Sequence, residues 1–203
     1  MKCIALAVAL VVSLAAPAWA GLDEELAAAG KLAAAALAAA AKRGDYDTAF
    51  RGFKSAAEQG DAGAQFSLGF MYTTGQGVPQ DYAEAVKWYR RAAEQGLAHA
   101  QLMLVVMYNE GQGVPQDYAE AAKWARLAAE QGHAYAQFSL GDMYGEGQGI
   151  PQDYVQAHLW YNLAAAQGID TARKYRDIIA EKMTPAQIAE AQRLAREWKP
   201  KKE

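Results

Sequence analysis

Apolar residues recur at helical spacing from Leu97 to Asn109 (Ala100, Leu104, Met107, Tyr108), and the pattern breaks at Gly111-Gln112-Gly113-Val114-Pro115. It resumes after Asp117 with Ala121, Trp124 and Ala128 on one face, and stops at Gln131. Asp117 is placed to accept hydrogen bonds from the first free N–H groups of this second helix, and Glu120 stands three residues on as the carboxylate of a capping box. Asp81 with Glu84, and Asp153 with Gln156, repeat the arrangement. Gly132 supplies the left-handed residue that ends the helix. The next helix begins almost at once, so consecutive helices must fold back antiparallel.

The same pair of helices is written several times. Gly60, Gly96, Gly132 and Gly168 stand 36 residues apart, as do Tyr72, Tyr108 and Tyr144, then Pro79, Pro115 and Pro151, then Trp88, Trp124 and Trp160. Residues 61–96 match residues 97–132 at 25 of 36 positions. A period of this length signals an all-α solenoid of helix-turn-helix units. Small residues (Ala64, Ala100, Ala136; Ala85, Ala121, Ala157) let helix axes approach, and the three tryptophans are expected in the core, where aromatic rings bury most area. Val105 breaks the pattern of Gly69 and Gly141, and its bulk is expected to widen the middle helix pair.

The ends of the array are atypical, as a solenoid requires. Asp45–Gln59 aligns with Asp81–Gln95 and reads as a second helix, whose partner is the alanine-rich capping helix within residues 21–44. That segment opens on Asp23, Glu24 and Glu25 and closes on Lys42 and Arg43 before Gly44, charges that suit the helix dipole. Residues 45–168 form the array and residues 169–203 its C-terminal cap: Ile169–Met183 takes a first-helix slot, and Thr184-Pro185-Ala186-Gln187 opens a last helix through Ile188, Leu194 and Trp198. Lys199, Lys201 and Lys202 read as a solvated basic tail.

Residues 1–20 read as a cleaved secretory signal: Lys2, an apolar run from Ile4 to Leu14, and the small-x-small site Ala18-Trp19-Ala20 before Gly21. The run is too short to span a bilayer, which takes about 20 apolar residues. A mature chain from Gly21, periplasmic or secreted and without stable membrane insertion, is the expectation. The single cysteine, Cys3, lies within the signal, which leaves the mature chain no disulfide framework or thiol nucleophile. Twenty basic against 23 acidic side chains argue against nucleic acid as a partner.

The string from Ala93 to Gly132, AEQGLAHAQLMLVVMYNEGQGVPQDYAEAAKWARLAAEQG, resembles the Sel1-like repeat family, relatives of the tetratricopeptide repeats. The resemblance is strong over residues 45–168. It implies a right-handed α/α superhelix that serves as an adaptor or scaffold for other proteins, in bacteria often in the envelope. A cysteine-rich branch of the family is linked to penicillin binding or β-lactamase activity, and this chain lacks those cysteines.

No catalytic constellation emerges, and no cofactor or metal is expected. His99, His133 and His158 occupy three different repeat positions and cannot converge by symmetry. The Gly-Gln-Gly loops follow no strand and carry no Lys-Ser/Thr, so they are repeat turns and not phosphate cradles. Ser67 and Ser139 have no histidine at matching positions. What remains is surface. If the first helices line the concave side, the residues facing a groove are Gly63, Phe66, Phe70 and Thr73; His99, Leu102, Val106 and Asn109; and Tyr135, Phe138, Asp142 and Gly145. Phe66, Leu102 and Phe138 either anchor a protein or peptide partner there or pack between neighbouring helix pairs. Asn109, Glu110, Asp142 and Glu146 would form the selective rim. The resulting reading is a non-catalytic exported adaptor; an envelope enzyme acting on peptidoglycan or β-lactams, or a structural spacer in an export complex, are the alternatives.

Overall fold

The computed structural model describes Ala39 and residues 44–201. The signal assignment and most of the N-terminal capping helix lie outside the described residues; Ala39 is helical. From Tyr46 to Glu197 the chain forms nine helices: α1 Tyr46–Glu58, α2 Ala62–Thr74, α3 Tyr82–Glu94, α4 Ala98–Glu110, α5 Tyr118–Glu130, α6 Ala134–Glu146, α7 Tyr154–Ala166, α8 Asp170–Ala180 and α9 Pro185–Glu197. Among the described residues there is no strand. The all-α, 36-residue helix-pair architecture read from the sequence is the one found.

The chain divides into two compact units. One runs to Ala100 and takes in Gln112–Val114; the other comprises Gln101–Gly111 and Pro115 onward. In the first, α1 packs on α2 and α2 on α3. Its core joins Ala49, Phe53 and Ala57 to Ala64, Leu68, Met71 and Trp88. In the second, α5 packs on α6 and α6 on α7, while α8 and α9 both pack on α7. There Phe138 meets Ala157, Tyr161, Ala164, Ala172 and Ile179.

Local chemistry sets the helix ends. Asp117 Oδ1 accepts from the N–H groups of Ala119 and Glu120, both at 3.0 Å, and Asp81 and Asp153 do the same in their repeats. The reciprocal half of the expected capping box is not made by Glu84 or Glu120. The cap residue's own N–H is already taken, Asp117 N donating to Tyr108 O at 3.0 Å and Asp81 N to Tyr72 O at 2.9 Å. The freed glutamates pair instead with Lys87 and Lys123. A complete box forms only at Thr184–Gln187, among the helices with a described cap.

The second glycine of each Gly-Gln-Gly loop has a steric as well as a conformational reason. Gly149 sits at φ +71° with its Cα face against the Tyr118 carbonyl, and a Cβ there would collide with that backbone. Val114 and its equivalents therefore enter on a turn that is pressed onto the start of the previous second helix.

Of the three repeat tryptophans, Trp88 and Trp160 are buried, while Trp124 retains partial exposure. The expectation of a fully buried set is thus corrected at Trp124. Gly69 and Gly141 lie against the rings of Tyr89 and Tyr161, where a Cβ would come within 2.8 Å and 2.7 Å of ring carbons. At the middle repeat the residue equivalent to those tyrosines is Ala125, and Val105 and Ala125 are both fully packed, at 1% and 0% exposure. A large-for-small exchange on one helix is matched by a small-for-large exchange on the next, which conserves volume.

Candidate functional site

The predicted partner face falls in two places, one in each unit. In the first unit Phe66 on α2 is 6% exposed. Its ring lies 5.5 Å from that of Tyr89 and 6.2 Å from that of His99. It packs between helices. Phe70, one turn further, and His99 at the start of α4 keep partial exposure. Behind them Tyr89 is wholly enclosed, and its hydroxyl is hydrogen-bonded to Thr73 Oγ1 at 3.2 Å. Burial pushes the Tyr89 phenol well above its ordinary range, the Thr73 bond opposing the shift.

In the second unit Phe138 on α6 is 7% exposed. It closes a three-ring cluster in which Phe138–Tyr161, Phe138–Tyr175 and Tyr161–Tyr175 centroids are 5.8, 5.8 and 5.9 Å apart. Leu102, Val106 and Asn109 are also buried. Tyr135 and Asp142 retain partial exposure. Tyr161 Oη donates to Asp142 Oδ1 at 2.7 Å. Burial pushes the Asp142 carboxyl up to about 7; the Tyr161 hydrogen bond works against that shift and the charge of Glu146 adds to it.

Of the twelve residues expected to face the groove, six are therefore interior: Gly63, Phe66, Leu102, Val106, Asn109 and Phe138. Of the two positions open to Phe66 and Phe138, inter-helix packing is the one occupied, because each meets an aromatic ring on the following second helix. Phe70, Thr73, His99, Tyr135, Asp142 and Gly145 remain with accessible surface. At the proposed rim, Glu110 and Glu146 are exposed. Partial burial raises the Glu110 carboxyl above its ordinary value.

Sequence reasoning missed a buried glutamine relay. Gln65 Nε2 donates to Ala57 O at 3.1 Å, and Gln95 Nε2 donates to Gln65 Oε1 at 2.8 Å. In the second unit Gln131 Nε2 donates to Gln101 Oε1, and Gln167 Nε2 to Gln137 Oε1 at 2.7 Å while Gln137 Nε2 reaches Ala129 O. Gln65 and Gln137 so answer a carbonyl at the end of one second helix and the amide at the end of the next, and Gln101 answers the amide of Gln131. A buried amide is costly unless both its ends are answered. The signal was available: Gln65, Gln101 and Gln137 recur at the 36-residue period in otherwise apolar helices.

The histidines do not converge. His133 caps α6, its Nδ1 accepting from Ala136 N–H at 3.4 Å, where Asp61 performs the same task in the first unit at 2.6 Å. His158 is 3% exposed on α7; burial lowers its pKa, the Arg176 charge lowers it further, and Asp177 opposes them. Among the described residues no group of three His, Cys, Asp or Glu side chains could hold a metal ion, and no helix is long and apolar enough to cross a membrane.

The family model of the Sel1 repeat matches residues 33–61, 62–97, 98–133 and 134–169. A crystal structure of a protective antigen present in uropathogenic Escherichia coli strains, displaying an SLR fold, is 53% identical over 63% of this chain, with a TM-score of 0.62. A Sel1 repeat protein from Oxalobacter formigenes is 35% identical over 70% of this chain, with a TM-score of 0.68. The match spans 27% of the first protein and 59% of the second. No curated protein matches the chain significantly.

Proposed function

The chain belongs to the Sel1 repeat family, and we propose that it is an exported, non-catalytic adaptor that binds a protein or peptide partner through the first helices of its repeats. Sel1 repeats are in general non-catalytic scaffolds that mediate protein interactions. The observation that carries the reading is a contrast between positions within one chain. Residues that cap the second helices, form the turns or relay hydrogen bonds repeat from copy to copy, whereas the first-helix positions vary: Gly63, His99 and Tyr135 at one, Phe70, Val106 and Asp142 at another. Accessible members of that set, Phe70 and His99 in the first unit and Tyr135 and Asp142 in the second, combine ring surface with polar tips, the composition that interface anchors favour. Export is supported by the signal-like residues 1–20.

A photo-crosslinking residue placed at Phe70 or Tyr135 in cells is expected to trap one and the same protein, and the same residue at Lys123 on α5 is expected to trap none. Labelling from Lys123 equal to that from Phe70 and Tyr135 would move the partner face off the first helices. Mass spectrometry of the purified protein is expected to find Gly21 at the N-terminus; an intact Met1 form in the cytoplasm would end the export reading.

A further inference from the structure

The segment after α9 is held against the second unit by four contacts. Trp198 ends α9 with extended backbone, φ −63° and ψ 140°. Its indole meets that of Trp160 edge to face, centroids 6.2 Å apart at 76°. Trp198 and Pro200 cover Gly132 so closely that a Cβ there would lie 3.6 Å from each. Lys201 N–H donates to Glu130 O at 2.8 Å, and Lys201 Nζ to Glu130 Oε2 at 2.7 Å. The tail is thus docked as far as Lys201, while the Lys199 and Lys201 side chains stay exposed to solvent as expected.

The first unit supplies an internal control. Glu58, Gly60 and Trp88 stand at the repeat positions of Glu130, Gly132 and Trp160. Among the described residues nothing lies within 4 Å of where a Cβ on Gly60 would be. The Trp88 ring carries instead the Arg91 guanidinium, 4.5 Å from its centroid. At the position of Arg91 the second unit has Leu163. The last tryptophan so lacks a cation from its own helix, and the tail indole takes up the contact.

We propose that Glu130, Gly132 and Trp160 form a peptide-recognition slot for an extended segment in which an aromatic side chain is followed by proline and lysine, and that residues 198–201 of the chain fill this slot in cis. The tail defines the ligand chemistry. Its aromatic edge packs on the Trp160 indole, and proline pre-sets the extended backbone at little entropic cost and asks for no hydrogen bond. One lysine then answers Glu130 twice, through its backbone N–H and its ammonium group. A Cβ at position 132 would sit in van der Waals contact with the tail, 3.6 Å from Trp198 and Pro200, and a longer side chain would displace it. The occupant in trans is a partner segment of this same sequence character, and it must compete with a tail whose tethering gives it a millimolar effective concentration. The slot lies on the second helices and is independent of the first-helix face proposed above.

The test uses full-length protein and a fluorescently labelled peptide of residues 196–203. Combined Trp198→Ala and Lys201→Glu should vacate the slot, and the vacated protein is expected to bind the peptide at least about ten-fold more tightly than the unaltered protein does. Adding Glu130→Lys should abolish that binding, as should Trp198→Ala in the peptide. Equal affinity for vacated and unaltered protein, or no binding by the vacated protein up to about 1 mM, overturns the proposal. So does a concentration-dependent dimer of the unaltered chain that Trp198→Ala dissolves, since the tail would then serve a second copy. Should the double variant fold poorly, hydrogen exchange on otherwise unaltered Glu130→Gln decides: faster exchange at the Lys201 amide is expected, and an unchanged rate overturns the docking.

Discussion

Tyr89 in the first unit and Tyr161 in the second hold the same repeat position, press on the same glycine and lie beside the same phenylalanine, yet their hydroxyls meet different chemistry. Tyr89 meets the neutral hydroxyl of Thr73. Tyr161 meets the carboxylate of Asp142. The apolar frame of the repeat is copied with its volumes intact, while the polar atom at its edge is free to change. That freedom turns one copy of an inert packing motif into a titratable one. The middle repeat shows the limit of the frame: Val105 with Ala125 replaces glycine with tyrosine, and no hydroxyl remains. Asn109, at the position of Thr73, is left with a buried Oδ1 that has no hydrogen-bond partner among the described residues.

Removing the ring should have the largest effect. Tyr161→Ala is expected to cost about 3–5 kcal/mol, the range for losing a buried aromatic side chain. Gly141→Val should cost about 1–3 kcal/mol by overpacking against that ring. Together they recreate the Val105–Ala125 pairing, so the double variant should be more stable than the sum predicts when the four chains are compared by urea unfolding. Strict additivity would show that the volumes do not compensate.

A second test sharpens the contrast through pH. The Asp142 carboxyl ordinarily titrates at 3.8 and is raised to about 7 in the folded chain. A raised acid favours the protonated folded form, so the stability it contributes is complete below about pH 4, is lost as pH rises to 7, and stays lost above. Each unit of displacement corresponds to about 1.4 kcal/mol. Melting of the protein and of Asp142→Asn between pH 4 and 8 should therefore diverge, the variant gaining steadily on the protein up to pH 7. Parallel profiles would place the carboxylate in solvent. Thr73→Ala should leave the profile unchanged in shape.

Smaller effects belong to the elements both units share. Asp117→Ala removes two cap hydrogen bonds and should cost about 0.5–2 kcal/mol by urea unfolding. Lys123→Ala breaks only an exposed pair with Glu120 and should leave the melting temperature unchanged. A large loss from Lys123→Ala would mean that the Glu120 carboxylate depends on its lysine for a role in the helix start.

The features legible in the sequence are those whose causes lie close together along the chain. Gly132 at φ +96°, Asp117 at its cap and the 36-residue period follow from turn stereochemistry and from N–H groups two or three residues away. So helix order, helix ends and family could be read directly. Partner-facing residues could not. Helical spacing assigns Phe66 and Phe70 to one stripe, and a neighbouring ring, Tyr89 or His99, decides which of them is enclosed. The Glu84 and Glu120 boxes failed for a similar reason, the cap N–H being claimed by a tyrosine carbonyl nine residues earlier. Ionisation of Asp142 depends on its burial, which a hydroxyl 19 residues away opposes, and docking of the tail on an ion pair spanning 71 residues. Spacing along the chain carries information about backbone geometry. Burial and charge state depend on which distant side chain arrives beside a group, and only the packed structure decides that.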